Sequence, residues 1–288
     1  MRLELDLQLR YLIDVQGADF IFLIEAAKTA RQRVSGEQLL ISQSVPVSAV
    51  TDPVTGNRSL RLRACCGELL VSYRATIDIV HHRIEPWMVE EVRVCDLPAA
   101  VLVYLYPSRY CQSDRFGALA MRQFAHLVQG HTRVQAISNW VENWVTFRSN
   151  SSDGHTSALD TVVDRVGVCR DFAHLMIALC RALSIPARFV TGTDYGSDPA
   201  LGPPDFQAYV EVYLGHRWYL FDPTGTAVPM GFVRLATGRD AADVSFATVF
   251  GNVQTEAPRI HETAVADAAA NLELPWRSSL ALSSDDGP

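Results

Sequence analysis

The apolar period of the 288-residue chain changes near Leu97-Pro98, and that change divides it. From residue 1 to about 95, short apolar runs are separated by turn chemistry. Leu60, Leu62 and Ala64 alternate with Arg61 and Arg63, the two-residue period of a half-buried strand. Asp52-Pro53-Val54-Thr55-Gly56-Asn57 supplies a turn, because proline presets φ and glycine accepts positive φ. Runs at 9–15, 19–25, 37–42, 59–64 and 68–80 are expected as strands of a small β domain over residues 1–97, although 19–33 also fits a helical period.

After Leu97-Pro98 the period becomes helical. Ser113-Asp114 caps a helix carrying Phe116, Leu119, Ala120, Phe124 and Leu127 on one stripe. A second starts near Thr132 with Val134, Ile137, Val141, Trp144 and Val145. A third starts near Cys169 and turns Phe172, Leu175, Met176, Leu179 and Leu183 inward. Strand-like runs follow at 187–191, 206–214 and 217–221. Residues 98–251 therefore read as an α+β core, and the Ala-rich polar stretch 252–288 as a mobile tail.

Charge and cysteine usage narrow the function classes. Lys+Arg number 25 against 32 Asp+Glu, a net −7 with no basic run, which argues against a nucleic-acid partner. The N-terminus interleaves acids with apolar residues, unlike a signal peptide, and no apolar run approaches the roughly 20 residues of a membrane helix. A soluble, cytoplasmic protein without a membrane partner is expected. Six cysteines form no Cys-x-x-Cys pair and no alternation with histidine, so neither a metal nor another cofactor is expected.

One cysteine stands out. Cys169 follows Gly167-Val168 where the third helix begins, and unpaired N–H groups at a helix start favour a thiolate and can hold an oxyanion. A small buried core residue at a helix start fits the same facts. Further on, Gly215-His216 suits a two-residue type II′ hairpin pairing Leu214 with Arg217 and Tyr209 with Asp222. Residue 207 then lies diagonally across from Asp222, at about 7–8 Å between backbone positions. A cysteine enzyme wants an imidazole beside such a carboxylate; the chain has Gln207, whose amide takes no proton near neutral pH.

Gly-Val-Cys-Arg-Asp-Phe-Ala-His-Leu at 167–175, Ala-Leu-Cys-Arg-Ala-Leu-Ser-Ile-Pro-Ala-Arg-Phe-Val at 178–190, Pro-Asp-Phe-Gln-Ala-Tyr-Val-Glu-Val-Tyr-Leu at 204–214 and Trp-Tyr-Leu-Phe-Asp-Pro-Thr at 218–224 carry a resemblance. They resemble the nucleophile helix and the histidine and aspartate strands of the bacterial transglutaminase-like cysteine proteins. The resemblance implies a papain/transglutaminase-like α+β fold, a nucleophile helix packed on an antiparallel sheet and preceded by a small β domain. It also implies a Cys-His-Asp triad for amide hydrolysis or acyl transfer on a peptide or protein substrate. By position Cys169 resembles the nucleophile, Asp222 the orienting acid, and Gln207 stands at the histidine.

His174 lies about 140° around the helix from Cys169, His216 is in the hairpin turn, and His155 sits in a polar loop able to fold back. Trp218 and Tyr209 on the hairpin, and Asp171 in the helix's first turn, are candidate substrate contacts; each also fits packing or dipole roles. The loop at 195–204 is a candidate cleft border. Three readings remain open: slow thiol acyl chemistry, a pseudoenzyme that binds peptide without turning it over, and a substitution introduced at 207 to trap substrate. The oligomeric state is not legible.

Overall fold

The computed structural model describes residues 1–196, 204–270 and 272–285. Seven strands come first: β1 (Arg2–Ile13), β2 (Ala18–Phe22), β3 (Gln32–Ile41), β4 (Val47–Thr51), β5 (Arg58–Ala64), β6 (Gly67–Ile79) and β7 (His82–Ile84). Then follow α1 (Gly117–Phe124), α2 (His131–Trp144), β8 (Thr146–Phe147), α3 (Ala158–Asp164), β9 (Val166–Gly167) and α4 (Cys169–Ala182). The remainder is β10 (Ala187–Asp194), β11 (Gln207–Leu214), β12 (Arg217–Phe221), β13 (Phe232–Gly238), β14 (Ala247–Phe250), β15 (Val253–Thr255), β16 (Arg259–Val265) and β17 (Ala281–Ser283).

Strict alternation builds the first half. β1 buries Leu3, Leu5, Leu7, Leu9, Tyr11 and Ile13, and pairs along its whole length with β6, which buries Leu69, Val71, Tyr73, Ala75, Ile77 and Ile79. A second sheet, ordered β14-β2-β5-β4, contributes Phe20, Phe22, Leu60 and Leu62 to the same core, where the Tyr11 and Phe20 rings lie 5.0 Å apart. Residues 18–22 thus pair as a strand with β5, so the helical alternative for 19–33 is not realised.

The stretch from 252 on is not a free tail. β15 and β16 pair antiparallel with β1, and β17 pairs with β7. The sequence misled because β15–β17 are short strands whose ladder partners lie some 200 or more residues away. The end of this stretch is held by a charge cluster: Arg188 and Arg234 each bond both Glu211, which is fully buried, and Asp285. Ser284 carbonyl accepts from Thr29 Oγ1 at 2.9 Å, tying the same segment to the N-terminal sheets.

The core sheet is antiparallel, ordered β12-β11-β10-β13. α4 packs Phe172, Leu175, Met176 and Leu179 against one face, onto Ala208, Val210, Val212 and Leu214 of β11. The opposite face is also covered: Leu97, Val101 and Tyr104 bury Tyr213 and Trp218, and Phe232 buries Tyr209. The hairpin register is the one expected, Leu214 with Arg217 through Val210 with Phe221. Its turn differs: Gly215 and His216 both have positive φ, 51° and 61°, which is type I′ rather than II′.

Candidate functional site

α4 starts at Cys169 because Val168 is extended and its N–H is taken by the Asp171 carboxylate at 2.9 Å. Asp171 is fully buried, caps its own helix and pairs with Arg170, so it is not a substrate contact; a Cβ on Gly167 would strike it. Capping sets the helix start, and the helix start sets the sulfur. β12 leaves the ladder after the Val210–Phe221 pair, and Cys169 Sγ meets backbone groups of the neighbouring strand beyond that point. The thiol points to Phe206 O at 3.8 Å, and the Ala208 N–H lies near enough to favour its ionised form. The sulfur therefore lies against the peptide groups on both sides of Gln207.

The helix start does not make this thiol acidic. Burial pushes it up to about 12, the charges of Asp205 and Asp194 add to that, and only the Ala208 and Arg170 N–H groups act the other way. Cys169 is half-buried and packs against the core beside Phe172, so desolvation outweighs the dipole.

Gln207 stands opposite Gly192 on β10 and is half-buried. Alternation gives it the Tyr209 face of the sheet, and its side chain makes no hydrogen bond among the described residues. Asp222 follows β12 directly, one step past Phe221, where the ladder with β11 has ended. Its carboxylate accepts from Thr224 N–H at 2.9 Å, Thr224 Oγ1 at 2.6 Å and Ala227 N–H at 3.4 Å. It also lines a 470 Å³ cavity with Thr132, Gln135, Glu142 and Arg277. Cys169, residue 207 and Asp222 thus gather at one end of β11, but the expected Gln207–Asp222 contact is not formed, because the Asp222 carboxylate serves its own loop.

Two candidate substrate contacts are withdrawn by burial. Trp218 is fully buried, edge-on to Tyr104 and Tyr213 and under the Arg188 guanidinium at 4.1 Å. Tyr209 is 1 % exposed and stacked on Phe232 at 4.1 Å. The face expected to be open is a core face at both positions. Among the described residues His174 is buried, stacks on Tyr110 and accepts from Ala241 N–H at 3.2 Å, His155 and His216 are exposed, and His131, on the wall of the Asp222 cavity, is buried against Phe221 at 4.7 Å. The 195–204 loop lies, at 197–203, outside the described residues.

Sequence reasoning missed Asp194 and Asp205, the two carboxylates that act on the sulfur. The signal was the alternation Val190, Gly192, Asp194, which puts Asp194 on the face of Gln207. Among the described residues no group of histidine, cysteine and carboxylate side chains could hold a metal, and no helix is long and apolar enough to cross a membrane.

A thiol at the start of a helix packed on an antiparallel sheet, with an aspartate at the end of the next hairpin, defines a transglutaminase-like protein. The transglutaminase-like superfamily model matches residues 118–223 and the bacterial transglutaminase N-terminal domain matches residues 1–100. A solved structure from Cytophaga hutchinsonii, a candidate cysteine protease, is 36% identical, with a TM-score of 0.90 over 98% of this chain and 97% of that one. The chain belongs to the transglutaminase-like superfamily. An uncharacterised Mycobacterium leprae protein is 26% identical over 146 residues, 49% of this chain and 52% of that protein. An uncharacterised Mycobacterium tuberculosis protein is 34% identical over 110 residues, 34% of this chain and 35% of that protein. The chain thus spans about half, or less, of the curated relatives it matches.

Proposed function

We propose that this is a thiol protein for amide or peptide bonds whose turnover is impaired: it holds a peptide or protein segment against Cys169 and lacks the group that would move the proton. The observation that carries the reading is the sulfur lying against the peptide groups flanking Gln207, with no imidazole among the described groups that act on it. Acylation needs the thiol proton removed, and release of the amine needs a proton returned. A carboxamide does neither. With the thiol at about 12, only on the order of one molecule in 10⁵ carries a thiolate at pH 7. Binding is thereby separated from turnover.

Single-turnover assays of the unmodified chain on a panel of peptide amides and p-nitrophenyl esters test this. Esters, whose leaving group needs no proton, are expected to acylate Cys169 slowly, and amides not measurably. Amide turnover at an ordinary rate of about 1 s⁻¹ or more overturns the reading.

A further inference from the structure

The core sheet is unfinished at one edge. β12 is its outermost strand, and beyond it lies the C-terminal segment, which meets it in a single antiparallel bridge, Trp218 with Asp285. Backbone groups two residues apart on a strand point to the same side, so the Leu220 N–H and C=O face that segment too. The pairing does not reach them: among the described residues no strand pairs with Leu220 on that side, and β17 takes β7 as its ladder partner. Between the two chains lies the 470 Å³ cavity, with Leu220 and Asp222 on one wall and Leu280 and Leu282 on the other.

The floor is α2. His131, Gln135 and Glu142 line it and fall within about 40° of one another around the helix, and from His131 to Glu142 that stripe is about 16 Å long. Its polar atoms are mostly acceptors. At one end Glu142 is exposed, makes no hydrogen bond or ion pair among the described residues, and lies over Gly225, where a Cβ would strike its carboxylate. Burial and the charge of Asp222 raise the Glu142 carboxyl, with Arg277 acting the other way. At the other end His131 is 5% exposed and packed on the Phe221 ring. Burial lowers it to about 4, so the imidazole is neutral, and its Nδ1 has no partner. Among the described residues Arg277 is the one guanidinium on the walls, and its Nη2 already donates to the Gly225 carbonyl at 3.0 Å.

We propose that this cavity is a slot for an extended peptide segment bearing basic side chains, which adds to the open edge of β12 at the Leu220 backbone and sets its cationic groups against Glu142 and Asp222. A bare strand edge is matched by another backbone. Two carboxylates against one engaged guanidinium select positive charge, and Leu280, Leu282 and Pro86 suit the aliphatic stems of lysine and arginine. An acidic segment would meet both carboxylates with no free cation to offset them. Five extended residues at about 3.4 Å each match the length of the α2 floor. The slot shares Asp222 with the candidate site, so the proposal deepens the functional reading by naming the class of segment held, and it rests on that reading for this link alone; Cys169 is not on the walls.

The test is isothermal titration calorimetry of the full chain with an acetylated, amidated pentapeptide that alternates lysine with valine. The unmodified chain is expected to bind it with a Kd below about 1 mM. Glu142→Gln is expected to weaken binding about threefold and Glu142→Lys about tenfold, while Glu4→Gln, an exposed acid on β1, is expected to leave it unchanged. Methylating the backbone nitrogens of the lysines in one peptide and of the valines in another is expected to weaken one of the two about fivefold more than the other, because alternate residues of an added strand face the edge. No binding at about 1 mM, equal binding of a peptide with glutamate in place of lysine, an equal loss with Glu4→Gln, or equal effects of the two methylations overturns the proposal. The calorimetry reads no acylation. Binding of the lysine peptide with no acylation of Cys169 by esters counts against the functional reading alone, and ester acylation without that binding against this one alone.

Discussion

Replacing Gln207 by histidine is expected to raise amide turnover at Cys169 by about 10²–10⁴, the usual contribution of a positioned acid–base group. The scaffold needed for the gain is already in place. The sulfur sits against the backbone on both sides of residue 207, and the α4 N-terminus offers N–H groups to an oxyanion. Asp194 stands diagonal to position 207 on the same face of the sheet, so an imidazole there has a carboxyl group beside it. Adding Cys169→Ala is expected to remove the gain completely, because the imidazole then has no nucleophile to activate. Single-turnover rates on the same amide panel decide it. A gain that survives Cys169→Ala, or no gain with any amide, contradicts the assignment of position 207.

The second large effect is on stability. Glu211→Gln is expected to cost about 3–5 kcal/mol, the range for breaking a buried ion pair from one side. Glu211 is fully buried, and the Arg188 and Arg234 side chains that bond it are 8% and 3% exposed. Without its charge, two guanidiniums share Asp285 alone. Asp285→Asn is expected to cost less, since that side chain is 20% exposed and water can replace part of what is lost. Against a total of about 5–15 kcal/mol, the Glu211 change removes a large share. Urea unfolding followed by tryptophan fluorescence checks it, because Trp218 lies directly beneath Arg188. A midpoint within about 1 kcal/mol of the parent contradicts a structural role for the cluster.

These two predictions differ in how they became accessible. Position 207 was legible because a two-residue turn and an alternating pattern fix a hairpin register, and the observed ladder from Leu214–Arg217 to Val210–Phe221 is the expected one. The turn type was not legible, since positive φ at His216 is unusual for a non-glycine residue. The helix start at Cys169 was readable from its acidic first turn and apolar stripe. What the thiol feels was not, because desolvation depends on what covers the sulfur, and that comes from Phe206 and Ala208 across the fold. Trp218 and Tyr209 looked like cleft residues for the same reason: alternation tells which face a side chain takes, not whether residues 97–105 or Phe232 close over it. The Arg188–Glu211–Arg234–Asp285 cluster joins four distant segments, and no local pattern signals such a meeting. Pairing of β15 and β16 with β1 was hidden likewise by their distance along the chain.

The most direct measurement of a nucleophile without its base is the pH dependence of iodoacetamide alkylation at Cys169 in the unmodified chain, read by peptide mapping because Cys65, Cys66 and Cys95 are exposed and also react. A thiol held near 12 is neutral through the physiological range, and its reactivity follows the small thiolate fraction. The expected result is a rate that climbs about tenfold per pH unit from pH 7 to 10 with no plateau. A plateau reached below about pH 8 would mean that the sulfur is already ionised near neutrality, and that a proton acceptor other than residue 207 serves it.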